Sequence, residues 1–313
     1  MKVNLSKKDF NEILENYNIG KYKSHRYIFT GGNTVYKLTT TKANFILKIY
    51  AQKTPLEYVK YQIKLMEFLN KTKVSTPKII NTKNDKGLLI WNNNKIAIQE
   101  FANGQGIEYV NEKLAKDMGK QYGILDKTLS KFKEKKCSHR ERDMFKLIEW
   151  NINSFIGLDL KEESKKLFIE SKKINKNKLR KGLIHGDLCE GNFLAKEDKV
   201  SAIIDWDDVH EDYLVVELAV PIAHNMVTKV KVMKKQIRIF LREYQKYIKL
   251  NSEEKKAIYY AVKRRELSAG SWCYNQIKKH PSKRKELLRW TSVCLKRYKS
   301  FCKISLEEFL ELF

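Results

Sequence analysis

One polar stretch interrupts an otherwise helical run covering most of the chain, and no other feature limits the fold as tightly. From about Asn111, apolar residues recur with a helical period in NEKLAKDMGKQYGILDKTLSKF, ERDMFKLIEWNINSFI and KEESKKLFIESKKI. They do so again from Glu217 in AVPIAHNM, IRIFLREYQKYIK, AIYYAVKRRELSAGSWCYNQI and LLRWTSVCLKRYKSF. Between these lies GLIHGDLCEGNFLAKEDKVSAIIDWDDV (182–209), whose apolar runs are too short for helices and alternate with turn residues. A purely helical body has no structural need of such an insert. Chemistry is therefore expected there.

The first hundred residues read differently. Ser6 is placed to cap a helix reaching about Tyr17, with Phe10, Ile13, Leu14 and Tyr17 on one face. HRYIFT (25–30), the turn residues GGN (31–33) and TVYKL (34–38) predict a hairpin, and ANFILKIY (43–50) a third strand. Pro55 opens a second helix, LEYVKYQIKLMEFLNKT, and beyond Pro77 the runs GLLIW (87–91) and KIAIQEF (95–101), joined by NNN, predict another hairpin. ANGQG (102–106), with two glycines in three residues, ends the pattern and suits a crossover. The expected fold class is α+β and bilobal, with a β-rich N-terminal lobe (1–101), a linker (102–106) and a larger helical C-terminal lobe (107–313) carrying a loop at 183–209.

Composition narrows the function classes. At 313 residues, 42% hydrophobic and 11% aromatic, the chain can bury a large core, which excludes a disulfide- or metal-stapled module and a disordered chain. Its five cysteines (Cys137, Cys189, Cys273, Cys294 and Cys302) show no close metal spacing, as expected of a reduced protein. The opening residues hold no apolar segment of signal-peptide length and no run of 18 apolar residues occurs, so the expectation is a cytoplasmic protein without a membrane span. The net charge of +26 comes from 63 Lys and Arg against 37 Asp and Glu. These lysines are spread along the chain, and even the densest stretches (161–181 and 278–290) lack interleaved aromatic platforms. A solvated surface is expected, with no specific nucleic-acid partner.

The insert holds His185, Gly186 and Asp187, then Asn192, then Asp205 closing the apolar run SAIID. Transfer of a phosphoryl group from ATP needs a carboxylate to orient the acceptor hydroxyl and take its proton, and hard oxygen donors to hold magnesium on the phosphates. Asp187, Asn192 and Asp205 supply these groups. An isolated HGD is an ordinary turn, whereas HGDxxxxN followed thirteen residues later by Asp is far more specific.

With LIHGDLCEGNFL and AIIDWDD the chain resembles the phosphotransferase family that includes aminoglycoside phosphotransferases, choline kinases and type II homoserine kinases, small-molecule relatives of the protein kinases. The resemblance implies a protein-kinase-like fold, ATP as donor with GTP not excluded, and Mg2+. It implies Asp187 as catalytic base, Asn192 and Asp205 as metal ligands, and His185 as a residue supporting the loop. In the N-terminal lobe, Gly31, Gly32, Asn33 and Thr34 would cradle phosphates through their backbone N–H groups. Lys48, in the strand NFILKIY, would pair with the α- and β-phosphates, and Gln99, Glu100 and Ala102 would meet the adenine. The resemblance runs in outline from about 25 to 225 and is tight only at 182–219 and 43–50.

Two positions depart from the family pattern. The helix residue that commonly pairs with the strand lysine is Gln62, leaving Glu57 as the alternative partner, with Glu67 further along. The Asp that braces the catalytic loop is replaced by Glu217, which can do so only if given about 1.5 Å more room, the length of one added methylene.

About a dozen residues separate Asp205 from the following helix, too few for the segment that receives a polypeptide, so a small-molecule hydroxyl acceptor is expected. Asp207, Glu211, Glu266, Trp272 and Tyr274 are candidate acceptor residues, with Trp150 and Asn151 on an earlier helix. Aminoglycosides call for a concentrated acidic site, whereas an amino-alcohol or homoserine-like acceptor suits a mixed pocket in which a carboxylate meets Arg264 or Arg265. The expected activity is that of an ATP-dependent kinase for an amino-alcohol, homoserine-like, sugar or aminoglycoside acceptor. The alternative is a noncatalytic kinase-like binding or spore-coat-type protein. Oligomeric state is not readable from the sequence.

Overall fold

A computed structural model describes residues 3–28, 32–107, 109–134 and 161–313. They fall into two compact units. The first is drawn from Met1–Gly104, Phe132–His139 and Ser201–Asp207, and the second from Gln105–Lys131, Arg140–Val200 and Asp208–Phe313. The expected helix around ERDMFKLIEWNINSFI, with Trp150 and Asn151, lies outside the described residues, as do Gly31 and Cys137.

The first unit opens with α1 (Lys7–Leu14), started by a capping box in which Ser6 Oγ accepts the Asp9 N–H and the Asp9 carboxylate accepts the Ser6 N–H. Its strands are β1 (Tyr22–Ile28), β2 (Thr34–Thr40), β3 (Asn44–Ile49), β4 (Ile79–Ile80), β5 (Leu89–Trp91) and β6 (Asn94–Glu100). They form one antiparallel sheet in the order β1-β2-β3-β6-β4, with β5 also on β6. The NNN sequence makes the tight turn predicted for it: Asn92 and Asn93 take φ of 46° and 60°, the left-handed conformations that such a hairpin requires.

Strand alternation sorts β3. Phe45, Leu47 and Ile49 join a core with Phe10, Ile13 and Leu14 of α1 and Leu38, Ile96 and Ile98 of the sheet. Lys48 therefore belongs to the opposite face, where Val59 and Ile63 of α2 (Leu56–Leu69) pack with Tyr50 and Ala97. The register places Val35 and Ala97 on either side of Lys48, centring it in the sheet. Ser201–Asp207 is tied into this unit by Ile203 N–H donating to Ser75 O at 2.7 Å and by the buried Trp206, whose indole N–H donates to Thr76 Oγ1 at 3.0 Å.

In the second unit, β7 (Gln105–Gly106) is followed by α3 (Glu112–Leu129), capped by Asn111, and α4 (Lys161–Ser171). The polar insert becomes β8 (Lys181–Ile184), β9 (Phe193–Lys196), β10 (Lys199–Ile203), which crosses into the first unit at Ser201, and β11 (His210–Tyr213). β8 pairs antiparallel with β11, and β9 with β7. The helices α5 (Leu214–Pro221), α6 (Lys234–Tyr244), α7 (Ser252–Gln276), α8 (Arg284–Phe301) and α9 (Leu306–Leu310) complete it, with one π-helical turn at Ile222–Met226 after α5.

α3 packs on α6 through Tyr122 and Phe240, and Tyr122 also meets Phe193 of β9. The close approach of the two helices depends on Gly119, where a Cβ would come within 2.4 Å of the Phe240 carbonyl oxygen. The α+β, two-lobed expectation is met. No helix among the described residues is long and apolar enough to cross a membrane.

Candidate active site

In the first unit Lys48 is the centre of an ionic cluster. Its ammonium lies 2.5 Å from Asp207 Oδ1 and 3.3 Å from Asp205 Oδ1. Asp207 is held on several sides: Asn33 Nδ2 donates to its other carboxylate oxygen, and the Tyr58 hydroxyl donates to its backbone carbonyl at 3.0 Å. Asn33 Oδ1 meanwhile accepts the Ala51 N–H at 2.8 Å, which fixes the start of β2 to the end of β3. Burial alone would lower the Lys48 pKa. The carboxylates of Asp207 and Asp205 outweigh it and hold the ammonium charged. Burial raises Asp207, opposed by Lys48.

The partner of Lys48 is thus neither Glu57 nor Gln62. Glu57 sits on the exposed first turn of α2 and pairs with Lys60 at 2.9 Å. Gln62 is buried and donates its amide to the Trp206 carbonyl at 2.9 Å. A glutamate there would set a carboxylate against a carbonyl oxygen, so the departure from the family pattern is a local hydrogen-bonding requirement. Glu57→Gln is expected to change kcat/KM for ATP by less than about 2-fold, as for a surface pair. Asp207→Asn should lower it about 10-fold or more by removing the anion that positions Lys48. Steady-state kinetics on both variants checks this, and a large effect of Glu57→Gln would return the pairing role to α2.

Asp205 has φ of 63°, the left-handed region that non-glycine residues seldom occupy, and its side chain is 41% exposed. Strain of this kind, on the order of 1–3 kcal/mol, persists where the surroundings over-determine a functional residue.

In the second unit, β8 runs into His185, Gly186 and Asp187. Gly186 has φ of 82°, and a Cβ there would lie 2.6 Å from His210 Cε1 and 2.8 Å from Asp208 O, so no other residue makes this turn without displacement. The loop is braced from α5: Glu217 Oε2 accepts the Gly186 N–H at 3.0 Å, and His185 Nδ1 accepts the Asp187 N–H at 3.4 Å. Glu217 therefore performs the bracing that its shorter relative performs in the family pattern.

Burial, with Asp126 nearby, pushes Glu217 up to about 8. A carboxyl whose folded pKa lies above its unfolded value stabilises the fold at low pH, and that contribution is lost as pH rises from about 4.5 to about 8. Glu217→Gln keeps an acceptor for Gly186 without the titration. It should remove a pH-dependent loss on the order of 4 kcal/mol across that window, read from denaturation midpoints at pH 5 and pH 8.5. Equal pH slopes in the two proteins would contradict it.

Asn192 Nδ2 donates to Asp187 O at 2.9 Å and to Asp187 Oδ2 at 3.3 Å, turning its amide oxygen to other use. Asp187 Oδ1 accepts from Arg265 Nη2 of α7 at 2.5 Å. Arg265 Nε in turn donates to His224 Nε2 at 3.0 Å. Glu190 completes the network, lying 3.8 Å from His224 Nδ1 and 3.7 Å from the Arg297 guanidinium. Burial would raise the pKa of Asp187, but the charge and hydrogen bond of Arg265 overcome it and hold the carboxyl below its usual range. Glu266 is fully buried, and burial pushes it up to about 8 against the pull of Arg297, Arg265 and the Cys294 thiol.

Of the other expected site residues, Gly32 is open to solvent. Thr34 is buried, and its hydroxyl accepts the Val3 N–H at 3.0 Å. The Glu100 N–H is donated to Lys78 O, so an adenine contact at this residue would use its carbonyl; Gln99 and Ala102 are half-buried. Asp207 belongs to the Lys48 cluster and Glu266 to the surroundings of Arg265. Glu211 lies opposite Leu183 on the β8–β11 ribbon, Tyr274 is half-buried, and Trp272 is exposed on α7. The sequence reading did not find Asn33 as a side-chain ligand of Asp207, nor His224, Glu190 and Arg297. These are joined only by the tertiary fold.

Asn192 carries a neutral amide oxygen and, in the other unit, Asp205 an exposed carboxylate; each is a hard oxygen donor of the kind that Mg2+ takes. Among the described residues no group of three or more His, Cys, Asp and Glu forms a cation site of its own.

The profile of the phosphotransferase enzyme family matches residues 30–245. A homoserine kinase of Bartonella henselae is 26% identical over 223 residues, 68% of this chain and 68% of that protein. A hydroxylysine kinase of Bos taurus is 26% identical over 227 residues, 61% of this chain and 59% of that protein, so the chain spans under two thirds of that relative. Among solved structures, an amicoumacin kinase in complex with AMP-PNP and Ca2+ superposes with a TM-score of 0.72 at 15% identity, covering 97% of this chain and 95% of that one. A microcompartment-associated aminopropanol kinase gives 0.70 at 13% identity, covering 98% and 100%. These two likenesses are of fold.

Proposed function

The chain belongs to the phosphotransferase enzyme family, as an ATP-dependent kinase of small hydroxyl-bearing molecules, and we propose that its acceptor carries an amino group and a carboxylate beside the hydroxyl. The observation that carries this reading is Arg265 on Asp187: the group touching the candidate base is a guanidinium. A site for a polycation would put acidic groups there. Here Arg265 and Arg297 stand with Glu190, a mixed set able to meet both ends of an amino acid. The relatives named homoserine kinase and hydroxylysine kinase support the same class.

In this reading Asp187 accepts the proton of the acceptor hydroxyl, and Asn192 holds the Asp187 loop while its amide oxygen is available to a cation. Lys48 meets the phosphates of ATP, with Asp207 as its anchor. Mg2+, when bound with the nucleotide, would neutralise charge on the phosphates, and Asp205 in the first unit and Asn192 in the second are each proposed as an oxygen ligand for it. The two departures from the family pattern both have working roles, Gln62 holding the Trp206 carbonyl and Glu217 the Gly186 amide. The charge surplus is spread along the chain, and no nucleic-acid partner is proposed.

The test is a panel of acceptors with MgATP: hydroxy-amino acids, amino-alcohols, choline, sugars and aminoglycosides. The reading expects the highest kcat/KM for a hydroxy-amino acid. A preference for an aminoglycoside by about 10-fold or more would overturn it.

A further inference from the structure

We propose that Arg265 selects an acceptor bearing a carboxylate and couples that recognition to release of the base: without acceptor its guanidinium covers Asp187 Oδ1, and an acceptor carboxylate draws it off. The inference rests on the acceptor class proposed above.

Both carboxylate oxygens of Asp187 are engaged, Oδ1 by Arg265 Nη2 at 2.5 Å and Oδ2 by Asn192 Nδ2 at 3.3 Å. A hydroxyl arriving to give up its proton therefore competes with an ionic hydrogen bond, among the strongest a protein makes. Arg265 is also anchored at Nε. Its Nε–H donates to His224 Nε2 at 3.0 Å, which requires that nitrogen to be unprotonated and places the imidazole proton on Nδ1, facing Glu190 Oε2 at 3.8 Å.

Rotation of the planar guanidinium about its side-chain torsions would carry the Nη groups from Asp187 toward an arriving carboxylate. The Nη end is also the part that binds carboxylates in parallel hydrogen bonds. The side chain retains 20% exposure, so a molecule arriving from solvent can reach it.

Once the acceptor carboxylate holds the Nη groups, Asp187 Oδ1 takes the hydroxyl proton. The hydroxyl oxygen bonds to the γ-phosphorus as the bond to the β–γ bridging oxygen breaks, giving ADP and a phosphomonoester, and the proton on Asp187 passes to solvent. An acceptor without a carboxylate meets a covered base, so discrimination appears in turnover as well as binding.

The experiment compares wild type with Arg265→Met, using L-homoserine and 3-aminopropan-1-ol, which has the same chain without the carboxylate. Acceptor-free hydrolysis of MgATP is measured in parallel. For Arg265→Met, KM for homoserine should rise about 30-fold or more, while kcat/KM for 3-aminopropan-1-ol and the acceptor-free hydrolysis should each rise about 3-fold, because the base is uncovered. The ratio of the two kcat/KM values should therefore fall about 100-fold. Arg265→Lys, which keeps the charge but not the parallel bonds, should show the same pattern more weakly and serves if the methionine variant does not fold.

Equal losses with both acceptors would make Arg265 merely structural and overturn the proposal, as would unchanged or slower hydrolysis in Arg265→Met. If wild type phosphorylates neither compound, the acceptor class and Arg265's recognition role fall together. The hydrolysis rates then decide alone whether Arg265 covers Asp187.

Discussion

Asp187→Asn is expected to lower kcat by about 10²-fold or more while leaving the affinity for MgATP within about 2-fold. The loop that holds this residue is braced by Glu217 on the Gly186 N–H, by His185 on the Asp187 N–H and by Asn192 on the Asp187 carbonyl, backbone contacts that the substitution keeps, and only the 3.3 Å contact of Asn192 to Oδ2 is altered. An amide oxygen can still accept from Arg265 Nη2, so the geometry around α7 should be kept. What is lost is the ability to receive the acceptor proton, together with the charge that faces Arg265. The partly buried guanidinium is then less well paired, at a stability cost on the order of 1–2 kcal/mol that a melting curve would register. Turnover near wild type with a verified acceptor would remove Asp187 from the role of base.

Asp205→Asn should abolish most of the magnesium-dependent gain in ATP affinity while preserving the fold. Asparagine is the appropriate replacement because the residue has φ of 63°, a conformation that Asn and Asp tolerate and alanine does not. Alanine would mix backbone strain with loss of the carboxylate. Asparagine removes only the negative charge, leaving a neutral oxygen in its place. Because the contact to Lys48 at 3.3 Å is the longer of the two, Lys48 keeps its principal partner in Asp207 and stays in position. Calorimetric titration of ATP with and without Mg2+ separates the effects: wild type should bind at least about 10-fold more tightly with the cation, and the variant by about 2-fold or less. The same dependence in both proteins would mean that the AIIDWDD segment serves only the packing of Trp206.

The contrast between what local pattern revealed and what it missed has a physical basis in particular residues. Ser6 and Asp9 form their capping box within four residues, and Asn92 and Asn93 make a hairpin turn with no help from elsewhere, so both were readable. The alternation of Phe45, Leu47 and Ile49 is likewise local, and it puts Lys48 on the other face of β3. The brace between Glu217 and Gly186 was readable as a role through the family resemblance.

The pairing of Lys48 with Asp207 was not readable, because it joins residues 159 positions apart and depends on how Trp206 and Gln62 seat the intervening segment. β11 was missed for a related reason. HEDY has no hydrophobic alternation of its own and becomes a strand by pairing with β8. Arg265 on Asp187 joins a helix to a loop 78 positions away, and among so many lysines and arginines charge alone could not single it out.

The most direct measurement is 31P NMR of the purified protein with MgATP and the best acceptor of the panel, beside Asp187→Asn. Wild type should produce ADP and one new phosphomonoester resonance in equal amounts, and the variant neither above about one hundredth of that rate. ATP that stays intact with every acceptor class, in a protein shown by calorimetry to bind MgATP, would contradict the account.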